Sequence, residues 1–545
     1  MSRQRSQVVR VAREQLGLEE LRPGQREAAT AVVEGRDSLV VMPTGWGKSA
    51  IYQMAAVMID GPTVVVSPLL ALQKDQVEAL EDKHAGEAAA LNSTQTESER
   101  NGVLEKADEG ELEFLFLAPE QLANEEVRRE ISSTEPSLVV VDEAHCISEW
   151  GHDFRPDYLR LGPMIDALGS PRPIILALTA TASPMVREEI TSRLRMRDPH
   201  ITVLSFDRPN VSLSVEIFTE EEPKRDALVE RVAAADPPGI IYVATRRAAE
   251  EIAEELAGRG IAARAYHAGM ADGARETAQD AFMAGECDVV VATVAFGLGI
   301  DKADVRFVYH LDVPASLDAY YQEMGRGGRD GEAAEARLFF RAEDMAEQHF
   351  RGARPRLGEE DVAAVLSILE SNNVVGWEEL VAASELSAAK AGLVVVRLEE
   401  EGMVHVTADS VELVASGPQR LRGALEGVVE RTESDARVER TRRDMLAGYA
   451  MTVDCRREYL LNYFGEAYEA PCGNCDNCLA GQVEEEDGEP PYPLGSKVVH
   501  SLWGEGVVHR YETDVITVLF DSEGYRTLSL ELVEQGGLLE PAPGG

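Results

Sequence analysis

Short runs of consecutive apolar residues alternate with stretches of helical periodicity over the first 350 residues of the chain. A strand that is buried on both faces reads as a continuous apolar run, so these runs predict parallel strands covered by helices. The first series comprises Ser38–Met42, Thr63–Ser67, Phe114–Leu117, Leu138–Val141 and Ile174–Leu178. The second series comprises Gly239–Val243, Ala263–Tyr266, Val289–Ala292 and Phe307–His310. Two α/β domains in tandem, each built around a parallel sheet, are therefore predicted to meet near Asp207–Asn210.

The pattern changes beyond residue 350, where three helical stretches precede two short alternating runs. These are Glu359–Asn372, Trp377–Ala383 and Ser387–Glu401, followed by Val404–Thr407 and Val411–Val414. Helices followed by a hairpin predict a winged-helix-like segment. A charged helix over Leu421–Ala450 and an acidic, proline-rich linker come next. Alternating strands with glycine turns in Lys497–Val533 then predict a small β-barrel.

The predicted domains are two α/β domains, a winged-helix-like insertion, a helical region with cysteines, a linker and a β-domain. Their bounds are 1–207, 208–350, 355–416, 417–480, 481–491 and 492–545. The winged-helix-like segment, residues 355–416, is called the insertion.

The chain has a strong excess of acidic residues, with 97 Asp and Glu against 53 Lys and Arg and a net charge of −44. Such a surface repels nucleic acid at long range unless salt screens the repulsion. This leads to the hypothesis of a bacterial or archaeal cytoplasm rich in salt; a genome that favours Arg over Lys is the alternative. Because we find neither a membrane-spanning apolar run nor a signal-peptide core, a cytoplasmic protein without a membrane partner is expected.

A glycine-rich turn separates the first predicted strand from a helix. Glycines let backbone N–H groups close around phosphates at a helix N-terminus. Lys48 would neutralise the β- and γ-phosphates, and Ser49 would offer its hydroxyl to Mg²⁺. An ordinary glycine-rich turn is the alternative, because Met42 stands where the strict motif has its first glycine. The predicted ATP-binding residues of this turn are Thr44, Gly45, Gly47, Lys48 and Ser49.

An acidic pair, Asp142-Glu143, directly follows the predicted strand Leu138–Val141. Ligands of open α/β sheets bind at the carboxyl ends of the strands, so the pair would face the bound nucleotide. Asp142 would hold Mg²⁺, and Glu143 would orient and deprotonate the attacking water. The alternative is a solvated acidic turn.

Two arginines in the second α/β domain, Arg326 and Arg329, are candidates for contacting the leaving phosphate as arginine fingers. Such a residue is worth roughly 10³–10⁵ in rate. Its position on the second domain would make hydrolysis depend on domain closure. A salt-bridged surface pair is the alternative.

Four of the six cysteines are clustered in the sequence, with the spacing C-x16-C-x2-C-x2-C. Four thiolates suit a tetrahedral, structural Zn²⁺ site. Disulfides are disfavoured in an intracellular protein, and an iron–sulfur cluster is the remaining alternative. The predicted ligands are Cys455, Cys472, Cys475 and Cys478.

The motif set resembles superfamily-2 helicases, and specifically the RecQ DNA helicases, whose two motor domains are RecA-like. Leu21–Gln25 is similar to the adenine-recognition motif, which implies that Gln25 reads the base. Further similar stretches are Ser67–Gln76 to motif Ia, Leu178–Ala182 to motif III and Thr293–Asp301 to motif V. The segment Asp142–Tyr158, DEAHCISEWGHDFRPDY, resembles the aromatic-rich loop that links DNA contact to ATP hydrolysis.

That loop offers groups suited to unpaired DNA. Flat aromatic faces stack on bases, and the polar side chains can contact phosphate or relay a hydrogen-bond signal. A buried aromatic pair is the alternative. The predicted DNA-coupling residues are His145, Trp150, His152, Phe154 and Arg155.

The chain departs from the RecQ pattern at three points. Trp46 occupies a loop position that is usually glycine, the insertion precedes the zinc region instead of following it, and nothing resembles the family's C-terminal helical nucleic-acid module. The layout is closer to shortened RecQ-like helicases. Residues 492–545 are similar to the Tudor/SH3-like tail of UvrD/PcrA-type helicases, which implies a protein partner; a folded cap is the alternative.

The resemblance implies an ATP-dependent 3′→5′ DNA helicase that acts on single-stranded and on branched or tailed duplex DNA in repair and recombination. A translocase that remodels protein–DNA complexes but unwinds weakly is the alternative. A scaffold with a vestigial motor is the third reading, and the intact motor motifs argue against it.

Overall fold

The computed structural model describes the chain except for residues 1–2, 69–72, 74–75, 78–79, 81–85, 93–94, 150–153, 298–299, 352–356, 484–489, 513 and 543–545. The described residues form two compact units. The first unit comprises Met1–Leu204 and Pro355–Glu433, and the second comprises Ser205–Arg354 and Ser434–Gly545. The six domain bounds remain predictions.

A parallel sheet of seven described strands, in the order β3-β4-β2-β5-β6-β1-β7, forms the centre of the first unit. Its strands are β1 Ser38–Val41, β2 Thr63–Val66, β3 Ala88–Leu91, β4 Phe114–Leu117, β5 Leu138–Val141, β6 Ile174–Thr179 and β7 His200–Val203. The five predicted strands are confirmed. The two edge strands β3 and β7 were not predicted from the sequence, because they are only partly buried and lack a continuous apolar run.

Helices cover the first sheet and bury its apolar strands. They are Arg3–Glu14, Gln25–Val33, Ser49–Ala56, Glu97–Asp108, Pro119–Ala123, Glu125–Ser133, Leu161–Asp166 and Pro184–Arg193, with short 3₁₀ turns at Ala144–Ile147 and Pro156–Arg160. None of the helices that the structure describes has both the length and the hydrophobicity that crossing a bilayer requires.

The second unit contains a parallel sheet of six described strands, in the order β10-β11-β9-β12-β13-β8. Its strands are β8 Val211–Phe218, β9 Gly239–Tyr242, β10 Ala263–Tyr266, β11 Val289–Ala292, β12 Phe307–His310 and β13 Ala334–Arg341. Its helices are Glu221–Ala234, Arg246–Gly258, Asp272–Met283, Leu317–Met324 and Ala342–Arg351. The four predicted strands are confirmed, whereas β8 and β13 were missed because polar residues interrupt them.

The insertion has the predicted helices and hairpin, and it belongs to the first unit. Its helices are Glu359–Asn372, Trp377–Ser384 and Ala388–Glu400. Its strands are β14 Val374–Gly376, β15 Val404–Val406 and β16 Ser410–Leu413, paired antiparallel in the order β14-β16-β15. The predicted helices and hairpin are therefore confirmed, with one strand more than expected, and the winged-helix-like assignment stays a prediction.

A 34-residue helix, Pro418–Met451, precedes the cysteine region, whose helices are Arg456–Tyr463 and Asp476–Leu479. The C-terminal part is an antiparallel sheet in the order β20-β19-β18-β17-β21. Its elements are β17 Lys497–His500, β18 Gly504–Glu512, β19 Val515–Phe520, β20 Gly524–Ser529, β21 Leu539–Pro541 and the helix Leu530–Gly536.

The C-terminal sheet packs against the second half of the long helix. The Tyr525 N–H donates to Thr441 Oγ1 at 2.9 Å, and the Ser434 hydroxyl donates to the Asp521 carbonyl at 3.0 Å. Below this contact, the buried Arg442 guanidinium lies 2.5 Å from the Asp318 carboxylate of the parallel-sheet domain. The long helix thus contacts both the C-terminal sheet and the parallel-sheet domain within the second unit.

Candidate functional site

The glycine-rich turn connects β1 to the helix that begins at Ser49. Gly45 and Gly47 have φ values of +76° and +80°, which side chains with a Cβ rarely adopt. A Cβ on Gly47 would also lie 2.7 Å from Nε2 of Gln25. Lys48 donates from Nζ to the Met42 carbonyl at 3.1 Å, at the end of β1. The turn therefore has the conformation and the cation that a phosphate cradle needs.

Gln25, the predicted adenine reader, contacts the backbone of this turn. Its Nε2 donates to the Trp46 carbonyl at 3.1 Å and to the Gly47 carbonyl at 2.9 Å. Its Oε1 accepts from the Arg22 N–H at 2.9 Å, and the Arg22 guanidinium lies 5.5 Å from the centre of the Trp46 ring. Trp46 is half-buried and packs on the first unit's core. The predicted adenine reader and the predicted phosphate loop are thus joined by direct hydrogen bonds.

The acidic pair lies at the carboxyl end of β5, in the middle of the sheet. Asp142 is buried, and its Oδ1 accepts from the Glu143 N–H at 3.0 Å. Burial and then the Glu143 carboxylate raise the pKa of Asp142 to about 6, while the Lys48 charge opposes this shift. Glu143 has a φ of +47°, so the chain turns sharply at the second carboxylate. The two predicted hydrolysis residues and the loop lysine thus belong to one electrostatic cluster.

His145 links the acidic pair to the neighbouring strand. Its Nδ1 lies 3.2 Å from Glu143 Oε2 and 2.9 Å from Oγ1 of Thr179, the last residue of β6. Because the Thr179 hydroxyl donates its one proton to the Thr181 carbonyl at 3.1 Å, it accepts from His145, and Nδ1 carries the hydrogen. The Thr179 carbonyl in turn accepts from the Met42 N–H at 3.1 Å. Strands β5, β6 and β1 are therefore connected through one buried chain of polar contacts.

The predicted DNA-coupling residues do not share one environment. Trp150 and His152 lie outside the described residues. His145 is buried beside the acidic pair, whereas Phe154 is partly buried against the core of the insertion. Arg155 donates from Nη1 to the carbonyl of Pro68, in the stretch similar to motif Ia, at 2.9 Å. The sequence reading assigned no role to Tyr158, whose hydroxyl donates to the Asp142 carbonyl at 3.3 Å.

The two candidate arginine fingers lie in the second unit, beside the turn after β11. Arg326 is buried and donates to the Gly297 carbonyl. Arg329 donates from Nη1 to the Ile300 carbonyl at 2.7 Å and to Asp301 at 2.8 Å. Burial and then the Arg326 charge lower the pKa of Arg329 to about 10. Among the described residues, Nε of both arginines and Nη2 of Arg329 have no hydrogen-bond partner, which leaves donors for an anion.

The four cysteines form one cluster in the second unit. Their Sγ atoms all lie within 4.8 Å of one another, and those of Cys472 and Cys478 are 3.8 Å apart. Tetrahedral Zn–S bonds of about 2.3 Å place sulfurs about 3.8 Å apart, so the thiols fit zinc. Asn477 supports the cluster by donating to the Thr452 and Asp454 carbonyls at 2.9 and 2.7 Å.

The cysteine cluster is attached to the edge strand β8. The Leu213 N–H donates to the Asn474 carbonyl at 3.3 Å, and the Val215 N–H donates to the Asp476 carboxylate at 2.9 Å. Arg456 binds the same carboxylate at 2.5 Å. A metal bound here would therefore also stabilise an edge of the second parallel sheet.

Comparisons with known proteins match this arrangement along the chain. The model of the DEAD/DEAH box helicase family matches residues 22–190, that of the helicase conserved C-terminal domain residues 223–331, and that of RecQ zinc-binding residues 418–479. Together with the fold and the phosphate and acidic motifs, these matches define a superfamily-2 helicase with two RecA-like domains.

Individual relatives identify the family to which the chain belongs within the superfamily-2 helicases. The chain is 38% identical over 465 residues to "ATP-dependent DNA helicase RecQ" of Pasteurella multocida, covering 85% of this chain and 61% of that protein. It is 35% identical over 498 residues to "Probable ATP-dependent DNA helicase RecS" of Bacillus subtilis, covering 89% of this chain and 96% of that protein. The chain therefore belongs to the RecQ family, and its cofactors are ATP and Zn²⁺.

A solved structure supports the fold. The helicase Lhr of Mycobacterium smegmatis, bound to ssDNA and AMP-PNP, has a TM-score of 0.51 at 20% identity, covering 79% of this chain and 62% of that chain. At this identity the likeness concerns the fold alone.

Proposed function

We propose that the chain is an ATP-dependent 3′→5′ DNA helicase of RecQ type, which moves along single-stranded DNA and opens tailed or branched duplexes in repair and recombination. The observation that carries the proposal is the contact chain from Glu143 through His145 to Thr179, beside the phosphate loop. It joins the predicted hydrolysis residues to the neighbouring strand β6, so a displacement of either one is transmitted to the other. RecQ membership supports the polarity and the DNA substrate in this proposal.

Each motor residue has a defined task in this proposal. Ser49 and Asp142 would hold Mg²⁺, which would neutralise charge on the phosphates when bound. Lys48 neutralises phosphate charge, and Glu143 orients the attacking water and takes its proton. Arg329, with two guanidinium nitrogens that have no partner among the described residues, would contact the developing negative charge, with Arg326 beside it.

Unwinding of tailed duplexes tests this function. A duplex with a 3′ single-stranded tail is expected to be separated in the presence of ATP and Mg²⁺, and the same duplex with a 5′ tail or blunt ends is not. The strands are followed by the fluorescence of a labelled oligonucleotide. Separation of the 5′-tailed duplex would contradict the polarity, and separation of neither would favour the second candidate.

The second candidate is a single-stranded DNA translocase that unwinds weakly, and the hairpin of the insertion favours it. The turn between β15 and β16 is held against the first parallel-sheet domain: Arg128 binds the Asp409 carboxylate, and Arg160 donates to the Ala408 carbonyl. Arg195 donates to the Val406 carbonyl at 3.0 Å. A hairpin anchored by three arginines is not displayed for splitting a duplex, so unwinding would need another element.

A protein partner at the C-terminal sheet is also part of the proposal. Leu502 and Leu532 are 83% and 61% exposed there, which suits a contact with an apolar surface. The same sheet packs on the long helix, so it can stabilise the fold as a cap and also bind a partner.

Salt tolerance is expected from the charge of −44 if the protein works in a salt-rich bacterial or archaeal cytoplasm. Screening shortens the range of repulsion between acidic surfaces and DNA to about 3 Å at 1 M salt. ATP hydrolysis with single-stranded DNA should then persist in molar KCl and recover fully after dilution. Irreversible loss of activity in molar KCl would contradict the expectation.

A further inference from the structure

The hydrophobic core of the insertion includes part of the first parallel-sheet domain. Leu159 is buried within this core, and Phe154 packs against it. The adjacent Arg160 places its guanidinium 4.1 Å from the centre of the Trp377 ring of the insertion. The segment that directly follows the aromatic-rich loop therefore packs against the insertion.

Glu149, which directly precedes Trp150 in sequence, forms an ion pair with a residue of the insertion. Arg397, on the helix Ala388–Glu400, donates from Nη2 to Glu149 Oε1 at 2.8 Å and from Nη1 to Glu400 Oε2 at 2.9 Å. The side chains of Arg397 and Glu149 are only 7% and 17% exposed. In such surroundings, loss of one partner leaves the other charge poorly compensated.

A second arginine makes this a network rather than a single pair. Arg193 of the first domain lies 2.8 Å from Glu400, 3.5 Å from Glu189 and 3.7 Å from Glu149. The Ser148 hydroxyl donates to Glu189 Oε2 at 2.6 Å. Burial would raise the pKa of Glu400, but Arg193 and Arg397 together hold it below its ordinary value.

This network is a short distance along the chain from the hydrolysis residues. The Ser148 N–H donates to the His145 carbonyl at 3.1 Å, and the Arg155 N–H donates to the Cys146 carbonyl at 2.9 Å. Both ends of the stretch 149–154 are thus tied to the turn that carries His145, and both are also contacted by the insertion. A displacement of the insertion would act on this turn.

We propose that the insertion positions the described ends of the aromatic-rich loop: Arg397, through Glu149, and the insertion core, through Phe154, set the geometry in which bound DNA accelerates ATP hydrolysis. The inference rests on the proposed function, because it needs a motor that DNA stimulates. Arg397 is a positioning residue in this account, since it acts through Glu149.

The test compares basal and single-stranded-DNA-stimulated ATP hydrolysis of the full chain carrying Arg397→Gln. The expected result is unchanged basal hydrolysis and a stimulated rate lowered about three- to thirtyfold, which lies within the range of couplings between contacting residues. Arg397→Lys, which keeps the charge, should recover part of the stimulation. Glu149→Gln should reproduce the loss, and the double variant should be no worse than either single one.

Arg195→Gln is the matched control. Arg195 also joins the insertion to the first domain, binding Glu399 at 2.7 Å and the Val406 carbonyl at 3.0 Å, but it does not contact Glu149 or Phe154. A thermal-unfolding midpoint lowered equally in both variants, with stimulation lost only in Arg397→Gln, supports positioning.

Equal loss of stimulation in Arg195→Gln and Arg397→Gln would overturn the inference in favour of a merely structural contact. Unchanged or increased stimulation in Arg397→Gln and Glu149→Gln would overturn it too, while leaving the proposed function intact. Absence of stimulation in the unmodified chain would instead overturn the proposed function, and the inference with it.

Discussion

Replacing Glu143 with Gln should lower ATP hydrolysis by roughly 10²–10⁴-fold, the usual contribution of a general base. The amide has nearly the shape of the carboxylate, so the left-handed backbone at this position carries no added strain. It cannot take a proton from water. Nucleotide binding should persist, because Lys48 and the phosphate loop are untouched. Steady-state hydrolysis and titration with a fluorescent ATP analogue measure the two effects.

Glu113→Gln is the control for this variant. Glu113 directly precedes β4 in the same sheet, and burial raises the pKa of its carboxyl as well. It lies at the amino end of its strand, whereas the acidic motif lies at the carboxyl edge of the same parallel sheet, so hydrolysis should remain at the unmodified rate. A Glu143→Gln protein that hydrolyses ATP normally would show that another residue activates the water.

Replacing Cys475 with Ser should remove zinc and destabilise the second unit. Structural zinc contributes on the order of 10–16 kcal/mol in small zinc domains, and a site with three thiolates retains only part of this. Because residues 474 and 476 bind the edge strand β8, the loss should spread into the parallel sheet. Zinc content by mass spectrometry should fall from one per chain to near zero, and the unfolding midpoint should fall with it.

Cys287→Ser separates this effect from the general cost of losing a buried thiol. Cys287 is buried outside the cluster and donates to backbone carbonyls, so its replacement should leave zinc content unchanged. Full zinc content in Cys475→Ser would contradict the ligand assignment. Iron and visible absorbance in the unmodified protein would contradict the choice of metal.

The parallel strands at the centres of the two sheets could be predicted from the sequence because burial on both faces leaves an apolar run with no polar interruption. Strands β5 and β11 illustrate this, since each is buried throughout. The edge strand β7 follows another rule: it alternates between partly buried and exposed positions and reads His200-Ile-Thr-Val, which short-range patterning does not distinguish from a loop.

The site was predictable to the extent that its residues are neighbours in sequence. Lys48, the acidic pair and the clustered cysteines stand in local patterns whose chemistry is specific. The role of Thr179 as a hydrogen-bond partner of His145 depends on two strands being adjacent, and the Glu149–Arg397 contact joins residues 248 positions apart. No local pattern encodes such a pair, and 97 acidic residues offer many equivalent partners to each arginine.

The measurement that tests the central claim most directly is ATP hydrolysis by the unmodified full chain with and without single-stranded DNA. The account predicts slow hydrolysis alone and a rate several times higher with DNA, because in the proposed mechanism DNA at the aromatic-rich loop would act on the turn that carries Glu143 and His145. Equal rates with and without DNA would contradict a DNA-driven motor, and no hydrolysis at all would contradict a motor of any kind.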